Sequence, residues 1–141
     1  MRNRGDEGTA LVEFTYLAIL LMVPVVYVLL AVFRVQSAAF AVTEAARQAG
    51  RAYATADTPE QGRQRAERAA SLALHDQGIT DAPPPDITCP DPRPCLTPGT
   101  HVRATVSYRV RLLFLDAFLT TASIPVTATH DHLVDRFRPA P

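Results

Sequence analysis

The longest uninterrupted apolar segment of the chain runs from Phe14 to Phe33 and contains no charged residue. A helix of that length spans about 30 Å, which is the thickness of the hydrocarbon core of a bilayer. The rest of the chain is too small to enclose such a helix as a buried core element. The pattern therefore predicts a membrane-spanning helix, and Pro24 in its middle is a residue that such helices tolerate.

After the charge-free segment, apolar residues recur at spacings of three and four, which is the pattern of an amphipathic helix. The stripe consists of Val35, Ala39, Val42, Ala46, Ala49 and Tyr53, with Ala38, Ala45 and Ala52 beside it. We therefore predict one continuous helix from about Leu11 to Tyr53. Its small residues suit close packing, either against the rest of this chain or against another subunit, and both uses stay open.

A second helix is predicted from a start signal at Thr58, Pro59 and Gln61 to about Gln77, with Gly78 as its stop. Its arginines are interpreted as a solvated face. Its apolar face is predicted to comprise Ala66, Ala69, Ala70, Ala73 and Leu74.

Further along, the period changes to two, which indicates half-buried strands. Alternation predicts one strand over residues 102–112 and another from Ser123 to about Val134, with Pro125 suited to an edge strand. A short strand over residues 86–89 would complete a three-stranded antiparallel sheet. Residues 112–121 are expected to form a short helix or wide turn, and the tail from residue 136 is expected to be unstructured. The predicted fold class is α+β.

Charge adds two constraints. Fourteen Lys and Arg balance fourteen Asp and Glu, so the chain lacks the basic excess expected of a nucleic-acid-binding protein. Arg2 and Arg4 precede the apolar segment and favour a cytoplasmic N-terminus, because acidic residues contribute little to membrane orientation. Arg34 on the other side is a weaker, opposite signal.

The polar leader MRNRGDEG ends at Gly8 and is followed by TALVEF, in which Glu13 stands immediately before the charge-free segment. This arrangement resembles the signal of type IV pilins and is most similar to the TadE-like pseudopilins of tight-adherence (Flp-type) pili. The resemblance implies that a prepilin peptidase cuts between Gly8 and Thr9 on the cytoplasmic side. It also implies that Glu13, then the fifth residue, pairs with the new amino group of a neighbouring subunit during assembly.

Other interpretations of this N-terminus stay open. Glu13 could simply mark the membrane interface of a plain signal anchor, because an acid is costly inside a bilayer. The segment could also be a cleaved secretory signal, since Ser37, Ala38 and Ala39 resemble a small-residue cleavage site.

The cysteines Cys89 and Cys95 lie in a proline-rich loop over residues 82–99. A metal site needs about four ligands, and the spacing is not that of a CxxC redox motif. Outside the cytoplasm, two cysteines this close in sequence normally form a disulfide. We expect a Cys89–Cys95 bridge that shapes this loop.

No sequence pattern of a catalytic site is recognisable, so we expect neither enzymatic activity nor a cofactor. His130 and His132 point to one face of their predicted strand, but they are too few to indicate a metal site and are interpreted as polar residues at a strand end. Arg103, Arg109 and Arg111 lie on one face of the predicted strand over residues 102–112. They are expected to be solvated or paired within the chain.

Together these observations predict three parts: a cytoplasmic leader over 1–8, a transmembrane helix with its extension over 9–54 (span about 14–33), and an exported α+β domain over 55–141. The function expected from the resemblance is that of a minor pilin or pseudopilin in the cytoplasmic membrane. Its expected partners are a prepilin peptidase, other pilin-like subunits and a membrane assembly platform. The alternatives are a single-pass protein with an outer binding domain and a secreted hydrolase-like domain, which would lack a catalytic motif.

Overall fold

The computed structural model describes the backbone of residues 7–112 and 123–137, with side chains from residue 11 onward. It contains helix α1 (Glu7–Ala54), helix α2 (Pro59–His75) and strands β1 (Asp86–Thr88), β2 (His101–Arg111) and β3 (Ser123–Leu133). The predicted α+β fold class is confirmed. The expectation for residues 112–121 falls almost wholly outside the described residues, as does that for the end of the tail.

The chain divides into two compact units, Met1–Arg34 and Val35–Pro141. The first contains the apolar half of α1, which continues as helix through Pro24. The second contains the rest of α1 together with α2 and the sheet. The C-terminal half of α1 is therefore part of the same compact unit as the sheet.

The core of the second unit is built on small residues of α1. Ala45, Ala46 and Ala49 are fully buried, and the larger Tyr53 is 1% exposed. Small side chains allow the neighbouring elements to approach the helix backbone closely, so that packing is dense. The cluster comprises Ala38, Ala41, Val42, Ala45, Ala46, Ala49, Tyr53 and Ala54 of α1 with Ala66, Ala70, Leu74, Ile79, Leu96, Val102, Ala104, Val106, Val110 and Val134.

Helix α2 begins as its sequence predicts. The Thr58 side-chain oxygen accepts a hydrogen bond from the backbone N–H of Gln61 at 3.3 Å, and Pro59 occupies the first turn. The helix ends at His75, two residues earlier than predicted, and Gly78 has a positive φ of 75° in the turn that follows. Its buried face is Gly62, Ala66, Ala70 and Leu74.

The sheet has the order β1-β2-β3, and both pairs are antiparallel. Along β2, buried Val102, Ala104 and Val106 alternate with residues on the solvent side, as the two-residue period predicts. Pro125 lies on β3, which is an edge strand of this sheet and therefore accommodates a residue without an N–H.

Candidate functional site

The N-terminal half of α1 is long and apolar enough to cross a membrane. Its most apolar 18-residue window has no residue buried within the chain, and Phe14, Leu21 and Phe33 are each more than 60% exposed. The hydroxyl of Thr15 donates a hydrogen bond to the Leu11 carbonyl at 2.8 Å, so this polar group is satisfied inside the helix. A helix that exposes such a surface needs an apolar environment, because water would make the exposure costly.

The three residues for which the resemblance implies roles in processing and assembly all lie at the start of this helix. Gly8 and Thr9 belong to the first turn of α1, and Glu13 follows one turn later. The Glu13 side chain is exposed, as are its neighbours in the apolar segment.

The amphipathic stripe of α1 packs within the chain. Val42, Ala46 and Ala49 are completely buried by the second compact unit to which they belong. On the opposite side of the same helix Phe40 remains 76% exposed, and it lines a groove of about 490 Å³ together with Leu72 of α2. The intramolecular use of the stripe is confirmed for this part of the helix.

The loop after β1 is closed by a Cys89–Cys95 disulfide, whose Cα atoms are 5.4 Å apart. The hydroxyl of Thr100, which is fully buried, donates toward the carbonyls of Cys95 at 2.9 Å and Thr97 at 2.8 Å. The backbone N–H of Val134 in turn donates to the Thr100 carbonyl at 2.8 Å. The expected bridge is confirmed, and these bonds tie its loop to the end of the sheet.

The histidines His130 and His132 lie on the face of β3 that is turned toward α1. The register places His132 opposite Val102 and His130 opposite Ala104, both of which are buried. The two imidazole rings have centroids 6.4 Å apart. Gly50 of α1 is directly beneath them: a Cβ atom at this position would be 3.5 Å from His132 Cβ and 3.9 Å from His130 Cδ2.

A cavity of about 260 Å³ adjoins these histidines. It is lined by Glu44, Arg47, Gln48, Arg51, His130 and His132. Burial lowers the pKa of His132 below its ordinary value, and the nearby His130 and Arg51 lower it further by charge repulsion. In the described part of the chain, no group of three or more His, Cys, Asp or Glu side chains is arranged to hold a metal ion.

On the opposite face of the sheet, one of the strand arginines is paired. Arg103 donates two hydrogen bonds to Asp131, which lies directly across from it on β3, at 2.7 and 2.9 Å. These bonds lower the pKa of Asp131 below its ordinary value. The pair is solvent-exposed, so its contribution to stability is small and falls with salt.

One close contact that positions α2 was not predicted from the sequence. Gly62 is buried against the ring of Tyr53, and a Cβ atom built on this glycine would be only 2.9 Å from Tyr53 Cδ2. A glycine within a predicted helix was the available signal, because glycine is unfavourable there unless close packing requires it.

Comparison of this chain with protein-family models, with curated proteins and with solved structures finds no match in any of the three. Functional inference for the chain therefore depends on its own residues.

Proposed function

We propose that this chain is a TadE-like minor pilin or pseudopilin, a membrane-anchored subunit used in assembling a tight-adherence (Flp-type) pilus. The observation that carries the proposal is the order of features in and before one helix. A polar leader ends at Gly8, Glu13 follows five residues later, and the charge-free segment begins directly after it at Phe14.

The architecture supports this assignment. Helix α1 extends over 48 residues, from before the apolar segment to Ala54, where its last turns form the core of an α+β unit. A subunit that packs into a filament through its helix needs a long apolar helix and a folded head. The described part of α1 and the sheet supply both.

The proposed mechanism has three steps. The apolar half of α1 anchors the precursor, with the leader in the cytoplasm as Arg2 and Arg4 favour. A prepilin peptidase then hydrolyses the peptide bond between Gly8 and Thr9, which leaves a new α-amino group on Thr9. The processed helix finally packs beside those of other pilin-like subunits on a membrane assembly platform.

Glu13 has a specific role in the third step. A carboxylate among apolar helices is costly unless a cation neutralises it, and removing one partner of a buried pair costs about 3–5 kcal/mol. The amino group of Thr9 on a neighbouring subunit is the cation that processing creates. Pairing would then favour subunits that have been cut and would hold them in one axial register.

The size of the exported part favours a minor or priming role. Residues 55–141 include a second helix, a disulfide-bonded loop and a three-stranded sheet, so the head is larger than in the short major pilins. The disulfide is consistent with a location outside the cytoplasm, where such bonds persist.

The test is a Glu13→Gln variant, with Glu67→Gln on the exposed surface of α2 as the matched control. Both variants are expected to lose the leader normally, as intact mass would show. Only Glu13→Gln should be depleted in sheared pili or in complexes with partner pilins, by about tenfold or more given the cost of an unpaired buried amine. Normal recovery of Glu13→Gln with pilus components would contradict the proposed pairing.

A further inference from the structure

Four basic side chains meet at the end of the sheet that faces α1. We call them the Arg–His cluster: Arg47 and Arg51 of α1, and His130 and His132 of β3. Arg47 and Arg51 are one helical turn apart and thus share a helix face, and the histidines are two residues apart on one strand face. Gly50 brings the helix and the strand within contact distance, so the four groups line one cavity.

The charges facing this cavity are unbalanced. Its only carboxylate among the described residues is Glu44, whose Oε1 already accepts a hydrogen bond from Gln48 at 2.6 Å. The guanidinium groups of Arg47 and Arg51 form no ion pair with another described residue. The residues of β2 that lie opposite the two histidines are Val102 and Ala104, which carry no charge.

Asp131 does not correct this imbalance, because it points to the opposite face of the sheet and is held there by Arg103. With both histidines neutral, the two arginines and Glu44 leave one net positive charge at the cavity. With both histidines protonated, the excess becomes three. Repulsion of this kind is relieved when an anion occupies the space between the cations.

We propose that the Arg–His cluster is a binding site for the phosphate group of a soluble ligand. Arginine presents a planar fork of N–H donors that matches phosphate oxygens, and an imidazole donates through its N–H. A cavity of about 260 Å³ is large enough for one phosphate group with its first attached atoms. The phosphate charge offsets the excess that the protein leaves uncompensated.

Phosphate binding at this site is coupled to protonation of His132. A bound phosphate stabilises the protonated form of His132, whose pKa is otherwise lowered by burial, His130 and Arg51. Proton uptake and phosphate binding therefore reinforce each other. Because phosphate itself changes charge over the same pH range, the coupling is measured as the rise in the pKa of His132 when the site is saturated.

The test uses the full chain in a neutral detergent, with inorganic phosphate as the probe and chloride at equal ionic strength as the reference. Phosphate should shift the imidazole NMR signals of His132 saturably and raise its pKa. Arg51→Gln should weaken binding by about tenfold, as expected for loss of one charge-assisted contact. The matched control, Arg68→Gln on the exposed surface of α2, should bind within about twofold of the parent chain.

A second arm distinguishes the source of the phosphate. The chain is placed in zwitterionic nanodiscs and in nanodiscs containing phosphatidylglycerol, without added phosphate. A His132 shift with inorganic phosphate but not with the anionic lipid is expected, and a shift only with the anionic lipid would overturn the assignment to a soluble ligand. The proposal is overturned if neither probe shifts His132 beyond chloride, or if Arg51→Gln and Arg68→Gln respond equally.

Discussion

The close contact between Gly62 and Tyr53 predicts how an alanine at position 62 would change the stability of the fold. Replacing Gly62 with alanine adds a Cβ atom 2.9, 3.0 and 3.2 Å from three ring carbons of Tyr53. Tyr53 is only 1% exposed, so its ring cannot swing out into solvent to relieve the contact. Overpacking of this kind costs about 1–3 kcal/mol, whereas alanine gains about 1 kcal/mol over glycine in a helix interior. We expect Gly62→Ala to be destabilised by up to about 2 kcal/mol.

Gly50→Ala is the matched control, because Gly50 is also a buried helix glycine. Its added Cβ atom would be no closer than 3.5 Å to its neighbours, which is ordinary van der Waals contact. This variant keeps the gain in helix propensity without a clash, so it should be more stable than the parent chain by about 1 kcal/mol. The two variants should therefore differ by about 2 kcal/mol, or roughly 10 °C in Tm.

Thermal unfolding followed by far-ultraviolet circular dichroism measures the difference directly. A Tyr53→Leu background should reduce the penalty of Gly62→Ala, because a smaller and more flexible side chain can move away, and a double-mutant cycle quantifies that coupling. Equal stability of Gly50→Ala and Gly62→Ala, within about 0.5 kcal/mol, would refute the steric reasoning.

Three further predictions concern other parts of the fold. Replacing both Cys89 and Cys95 with serine should lower the free energy of unfolding by about 2 kcal/mol or less, since the bridge closes a short loop already stiffened by prolines; a larger loss in urea titration would show that the bridge holds more than this loop. The pKa of His132 is lower in the folded chain, so the unfolded chain binds more protons and stability should fall as pH decreases below about 6.5. His132→Gln should reduce the dependence of Tm on pH in that range. An unchanged dependence would show that groups other than His132 cause the loss of stability. Thr58→Ala should cost about 1 kcal/mol through loss of the cap, whereas Thr58→Ser should restore it.

Elements with a strong local pattern were predictable from the sequence. The alternation along residues 102–112 corresponds to β2, and the stripe ending at Tyr53 corresponds to the buried face of α1. Both patterns arise because one side of a regular element is buried. Every second residue of a strand, or every third to fourth residue of a helix, then faces the core. The start of α2 was also predictable, because a cap at Thr58 is a local interaction.

Contacts that depend on how elements meet were not predictable. The sequence places His130 and His132 on one strand face, but not that Arg47 and Arg51 of a distant helix line the same cavity. Nor does any local pattern bring Gly62 against Tyr53. These contacts depend on how the helices and the sheet pack against each other, and the periodicity of the sequence does not specify that packing.

The proposal that this chain is a processed, pilin-like subunit is tested most directly by the N-terminal residue of the chain recovered from membranes. Intact mass and N-terminal sequencing, with a Gly8 substitution as the control that blocks cutting, should give a chain that begins at Thr9. Retention of Met1 in the otherwise unaltered chain would contradict processing and support a plain membrane anchor. A chain that begins near Phe40 would contradict the anchor as well, because the apolar segment would then be a removed secretory signal.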